Sequence, residues 1–166
     1  MIPSAFLRRT VLALALAVVG FATLDASAST IRYVDDDAAG GGDGLTWATA
    51  YTNPQQALSE ATATPGSVTE IRVAQGIYIP TTTLNKNISF NLIPDVSLLG
   101  GYAGVGAPDP DDRNISAYPT ILSGDLSQND SALNLTGLPP ATWSENSYHV
   151  VNATNTVSTA VIDGFT

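Results

Sequence analysis

The chain has 166 residues, with 15 acidic against 6 basic side chains, a formal net charge of −9, and no cysteine. So few scattered cations exclude a phosphate-tracking nucleic-acid surface, which needs them clustered. The missing thiols exclude disulfides, thiolate metal centres and lipid attachment at cysteine, so stability must come from packing and backbone hydrogen bonds.

Residues 1–28 read as an export signal. Arg8 and Arg9 supply the positive start, Val11 to Leu24 an apolar run, and Ala26-Ser27-Ala28 a small-residue cleavage site that leaves Ser29 as the new N-terminus. The run is shorter than the roughly 20 apolar residues of a spanning helix, so no transmembrane segment is expected once the signal is removed. Arg8-Arg9 also resembles a twin-arginine signal, and general secretion is the favoured route. The expected location is extracellular, secreted or on the cell surface.

In the mature chain, residues 29–69 are expected to hold a first strand, an acidic loop and a capping helix. Ile31 to Val34 alternates as a strand, and Asp35 to Gly44 is a turn-rich loop carrying Asp35, Asp36, Asp37 and Asp43. Carboxylates near glycines suit calcium, so Asp35, Asp37 and Asp43 are candidate ligands, although their spacing matches no established calcium loop. The competing reading is an acidic turn leading into the helix. That helix is expected over Pro54 to Ala63: Asn53 can cap it, Pro54 suits the first helical position, and Ala57, Leu58 and Ala61 share a face.

From Glu70 onward a short unit returns, two apolar residues around one other residue, closed by a turn. Ile71 and Val73 begin the series, Ile77 to Ile79 and Ile88 to Leu92 follow, and Val96 restarts it 25 residues after Ile71. Val96-Leu98, Ile121-Leu122 and Tyr148 to Val151 form the next set, and Ala160-Ile162 restarts the first strand type again. Strands this short become stable by stacking on copies of themselves. The expectation is an all-β, right-handed parallel β-helix (a solenoid), incomplete, occupying residues 70–166 and covered at its start by the one short helix. Ile71, Val73, Val96, Leu98 and Ile162 should point inward, with Ile77, Phe90, Leu92, Ile121 or Leu122, and Val150 on the other two sides. Because Ile162 to Thr166 begins a strand with nothing beneath it, the chain is expected to be a piece of a longer protein.

Two polar stretches, Ala103 to Pro119 and Leu126 to Ser147, interrupt the pattern, and insertions are where repeat architectures place function. In the first, Asp109, Asp111 and Asp112 precede Arg113; a metal beside a base is the chemistry of uronate proton abstraction, which makes Arg113 a catalytic candidate. A hydrolase would need two carboxylates about 5 to 9.5 Å apart, which brings in Asp125 as a second catalytic candidate, with Asp163 after the last strand. Both sites are also ordinary turn chemistry. His149 sits mid-strand and reads as structural. Trp143 is the candidate exposed aromatic for sugar stacking, whereas Trp47 and Tyr51 are expected to pack the helix and Tyr102 and Tyr148 to terminate coils. Asn-x-Ser/Thr sequons at Asn87, Asn114, Asn129, Asn134 and Asn152 would matter only in a glycosylating host.

Tyr33-Val34-Asp35, Gly42-Asp43-Gly44 with Trp47, Leu99-Gly100-Gly101-Tyr102, Thr120 to Asp125, Ser147 to Val151 and Ile162-Asp163-Gly164-Phe165 together resemble the N-terminal part of secreted bacterial right-handed parallel β-helix repeat proteins of the pectin-lyase-like class. That resemblance implies an extracellular bacterial protein whose partners are polysaccharide or surface protein. Its function is expected to be binding, adhesion or structure; the alternative is the N-terminal part of a polysaccharide lyase or glycoside hydrolase acting on acidic polysaccharide, with turnover not expected from this segment alone. No cofactor is expected beyond calcium at the acidic loop.

Overall fold

In the computed structural model, residues 30–130, 141–154, 156 and 158–166 are described; the expected export signal, Ser29 and the Asn134 sequon lie outside them. Eight short strands and one α-helix make up the regular structure: β1 (Ile31–Val34), α1 (Pro54–Ala63), β2 (Glu70–Ala74), β3 (Gly76–Tyr78), β4 (Phe90–Asn91), β5 (Ser97–Tyr102), β6 (Thr120–Leu122), β7 (Val151–Asn152) and β8 (Val161–Asp163). The strands pair in parallel within three separate sheets, a four-stranded one in the order β1-β2-β5-β8 and two pairs, β3-β6 and β4-β7.

The helix forms because its start is fully specified. Asn53 accepts a hydrogen bond from the Gln55 N–H, the Gln56 side chain returns to the Asn53 N–H at 3.2 Å, and Pro54 opens the first turn. Its buried face, Ala57, Leu58 and Ala61, joins Val34, Ile71, Val73, Phe90 and Leu98 in the main core. The four-stranded sheet supplies the opposite wall. One register column runs Arg32, Ile71, Leu98, Ile162 on the core side, and the next runs Tyr33, Arg72, Leu99, Asp163 on the outer side.

The expectation of an all-β, right-handed parallel β-helix is overturned. Among the described residues the molecule is a small α/β domain, with short parallel strands in separate small sheets, one α-helix, and no closed solenoid. Two physical causes account for this. The helix is a wall of the main core rather than a cap on an all-β stack, because three of its residues are buried against β1, β2 and β4. In addition, β4 and β7 have only two residues each and β3, β6 and β8 three, so irregular backbone separates the sheets.

Individual side chains also depart from expectation. Ile77 is 52% exposed, while Tyr78 is buried and its hydroxyl donates to the Ala74 carbonyl at 3.2 Å; the tyrosine ring fills the inner position of β3. Ile162 shares a register column with buried Ile71 and Leu98, yet it is 40% exposed because among the described residues β8 pairs only with β5.

Candidate functional site

The acidic loop after β1 is built as a fastener. Asp35 uses both carboxylate oxygens on backbone donors: Oδ1 accepts from the Asp37 N–H at 2.9 Å and Oδ2 from the Val105 N–H at 2.6 Å. The second bond ties the loop to the insertion that follows β5. Glycine makes the approach feasible, since a Cβ on Gly104, at φ +80°, would lie 2.3 Å from Asp35 Oδ2 and 2.5 Å from the Ala74 methyl. Carboxylate oxygens of Asp35, Asp36 and Asp37 gather within 4.8 Å. Burial pushes the Asp35 carboxyl up from its ordinary value, partly offset by the backbone donors, and burial followed by the neighbouring Asp37 charge does the same to Asp36.

The three calcium candidates therefore do not assemble. Asp43 lies apart from the group of Asp35, Asp36 and Asp37, and its Oδ1 accepts from the Thr49 hydroxyl at 2.7 Å and the Leu45 N–H at 3.1 Å. Those bonds, the Thr49 hydroxyl foremost, hold its carboxyl below the ordinary range. Sequence reading passed over Asp36, which the fold turns toward the Tyr78 hydroxyl.

The outer column of the large sheet is an aromatic and cationic stack. Trp47 packs between Tyr33 and Tyr102, with ring centroids 4.8 and 5.8 Å away, and not on the helix as expected. Tyr51 does meet the helix, donating its hydroxyl to Glu60 at 3.1 Å. The Arg72 guanidinium lies over both Tyr33 and Tyr102 and bonds Glu70 at 2.6 Å and Asp111 at 2.8 Å; Asp111 also accepts from the Trp47 indole N–H at 3.1 Å. Arg113, the first catalytic candidate, is 5.7 Å from the Tyr102 ring centre, donates to the Gly100 carbonyl at 2.9 Å and pairs with Asp163 at 2.6 Å. It straps the insertion to β5 and β8. Asp109 accepts from the Asp111 N–H, and Asp112 from the Tyr118 hydroxyl at 2.9 Å.

Asp125, the second catalytic candidate, follows β6 and shares no hydrogen-bond partner with Arg113. Its Oδ2 accepts from the Asp130 N–H at 2.8 Å, and Asp130 Oδ2 accepts from the Asn146 side-chain amide at 2.7 Å. With Glu145 these two aspartates bring carboxylate oxygens within 4.8 Å of one another, a convergence that sequence distance conceals.

Next to that group, the segment 143–148 presents aromatic rings. Trp143 is 44% and Tyr148 62% exposed, and the Lys86 ammonium sits 4.7 Å from the Tyr148 ring centre while donating to the Ser144 carbonyl at 2.9 Å. His149 is exposed and lies ahead of β7, outside any strand and not mid-strand as expected, because the strand shrinks to Val151–Asn152. A separate, mainly apolar recess between the C-terminal end of α1 and the β4–β5 connection is lined by Ala61, Val68, Leu92, Ile93, Pro94 and Val96, with Asp95 and Thr154 among its polar lining. Among the described residues no helix is long and apolar enough to cross a membrane. Compared with protein-family models, with curated proteins and with solved structures, the chain matches none.

Proposed function

We propose that the protein is an exported surface module that binds extracellular polysaccharide, and that it does so without turnover. The observation that carries this reading is the patch of Lys86, Trp143 and Tyr148: two exposed rings on one short segment, with a cation stacked on the second. Exposed aromatics offer flat apolar faces to sugar rings, and a lysine beside them favours acidic sugars. The reading of residues 1–28 as an export signal supports a location outside the cell.

The polar candidates for chemistry support binding over catalysis. Arg113 is held by Gly100 and Asp163, and Asp125 by the loop that contains Asp130, so the two are committed to different parts of the structure. A general base must reach the proton it removes.

The test incubates the full chain with pectate, alginate and neutral glycans, reading retention on the immobilised polymer together with new unsaturated uronate absorbance and new reducing ends. Retention on at least one acidic polymer is expected, with no turnover, and Trp143→Ala or Tyr148→Ala should each weaken it about tenfold, the equivalent of about 1.4 kcal/mol. Turnover that disappears with Arg113→Ala or Asp125→Ala would overturn the proposal in favour of a polysaccharide-degrading enzyme. Retention on no polymer would overturn it as well.

A further inference from the structure

We propose that Trp47 and Arg72 form a carboxylate site on the outer face of the large sheet, that it takes a uronate unit of an acidic polysaccharide, and that the chain's own Asp111 occupies it as a plug. Two donors converge there on one oxygen: Asp111 Oδ1 accepts from Arg72 Nη1 at 2.8 Å and from the Trp47 indole N–H at 3.1 Å. Both donors are held in place before any ligand arrives. Trp47 is buried between Tyr33 and Tyr102, and the Arg72 guanidinium lies over the same two rings, 5.8 and 5.6 Å from their centres, with Nε tied to Glu70 at 2.6 Å. A receptor fixed in this way loses little freedom on binding.

Asp111 fills the site incompletely. Its Oδ1 serves both donors and Arg72 Nη2 has no acceptor among the described residues, whereas guanidinium binds best when two of its N–H groups meet the two oxygens of one carboxylate. The Asp111 side chain is 51% accessible, so its ion pair is screened and weak. The insertion does not depend on that pair. On either side of Asp111, the Pro110 carbonyl accepts from the Gly104 N–H at 3.2 Å and the Asp112 carbonyl from the Ala103 N–H at 2.9 Å, while the Val105 N–H bonds Asp35. Asp111 can therefore leave by side-chain rotation while the backbone stays in place, and an entering carboxylate replaces one negative charge by another. The carboxylate rests on these two donors; the choice of a uronate rests on the reading of the protein as a binder of acidic polysaccharide. The site shares no residue with the patch of Lys86, Trp143 and Tyr148.

The experiment follows the Trp47 indole N–H of the full chain by heteronuclear NMR, with Trp143→Phe assigning the two indole signals. Galacturonate, acetate and galactose are titrated into the parent and into Asp111→Ala. In the variant, galacturonate should shift the Trp47 signal saturably, with a dissociation constant on the order of 1 mM and about tenfold tighter than in the parent. Acetate, with fewer contacts, should bind roughly threefold more weakly than galacturonate, and galactose should leave the signal in place. Adding Arg72→Lys to Asp111→Ala should weaken binding about tenfold, because an ammonium lacks the guanidinium fork. If that variant does not fold, Trp47→Phe with Asp111→Ala, read by calorimetry, should show the same loss. No saturable shift in Asp111→Ala, equal affinity in the parent, or binding indifferent to these substitutions would overturn the site. An equal response to acetate would overturn the sugar assignment, and an equal response to galactose would overturn carboxylate recognition. Pectate retention by Asp111→Ala separates the two readings. A Trp47 response without retention would overturn the polysaccharide reading, and with it the uronate, but keep the carboxylate site; retention without a Trp47 response would do the reverse.

Discussion

The region around β1 and α1 and the region built from β6, β7 and β8 use the same residue types and leave them in opposite states. In the first, buried Arg32 meets Glu60 through two nitrogens, Asp35 meets two backbone donors, and the apolar face of α1 closes the core. In the second, four shielded oxygens have no donor, and Val161 and Ile162 are 42% and 40% exposed. The difference teaches that neither charge nor hydrophobicity decides the state of a side chain here; what covers it does.

The sharpest probe compares two side chains of one register column. Leu98 is 1% exposed and packs at the centre of the core, so Leu98→Ala should cost about 2 to 5 kcal/mol in urea unfolding. Ile162, one strand further along, is 40% exposed, so Ile162→Ala should cost only about 1 kcal/mol. Equal costs would mean that β8 is covered in solution, and the asymmetry between the regions would be gone.

Gly104→Ala attacks the closed region at its fastener. The new methyl would meet Asp35 Oδ2 and the Ala74 methyl at a residue whose φ is +80°, so strain and collision combine. A loss of about 3 kcal/mol is expected, together with faster amide exchange at Val105, whose N–H would lose its acceptor. An unchanged Val105 exchange rate would show that the Asp35 bond does not hold the insertion.

A smaller effect, about 2 kcal/mol, is expected for Glu60→Gln, which leaves the buried guanidinium of Arg32 without its anion. Here the pH dependence carries the test. The Arg32 bond holds the Glu60 carboxyl below its ordinary value. A folded pKa below the unfolded one stabilises fully above the ordinary value of about 4.3 and loses that stabilisation as pH falls through the folded pKa. The stability gap between parent and variant should therefore be present at neutral pH and close in acid. Asp35 and Asp36, raised chiefly by burial, act with the opposite sign: their contribution is best below the ordinary carboxyl value and declines as pH rises through their folded values. Because both variant and parent retain them, they cancel in the difference.

How far the sequence revealed all this follows from the range of each interaction. The helix from Pro54 to Ala63 was readable because its signals are local: Asn53 and Pro54 are adjacent, and Ala57, Leu58 and Ala61 follow on one face. The spacing of Leu98 and Ile162 was readable from the recurring apolar unit, but the step before it was not: the pattern set Val96 opposite Ile71, whereas Leu98 pairs with Ile71. What was not readable is how the layers close. A helix that could cap a stack or wall a core looks the same in one dimension, and the all-β reading failed on that choice. Ile77 was misplaced because a three-residue strand gives alternation too little length to fix its face, and the bulk of Tyr78 decided it. At the sites, Asp125 and Arg113 were singled out for reactivity, whereas their partners lie elsewhere: Asp163 is 50 residues from Arg113, and Glu145 lies near the far end of the polar insertion that follows Asp125. Only folding brings such groups together.

The smallest expected effect concerns Arg113 itself, and it separates a strap from a catalytic base. Its bond to Asp163 is partly exposed, the two side chains being 30% and 55% accessible, so the ion pair by itself is worth at most about 1 kcal/mol. Arg113→Ala should therefore leave Tm within a few degrees of the parent and leave glycan retention unchanged. What it should alter is local: the Asn114 N–H, which donates to the Gly101 carbonyl at 2.8 Å beside the Arg113 contact with Gly100, should exchange faster once the insertion is no longer fastened to β5. Arg113→Lys should restore little of that protection, because a single ammonium cannot reach the Gly100 carbonyl and the Asp163 carboxylate with the fork geometry that guanidinium provides. Full protection in the lysine variant would show that charge alone holds the loop. Lost glycan retention with an unaltered exchange rate would instead make Arg113 a contact for ligand rather than for its own chain.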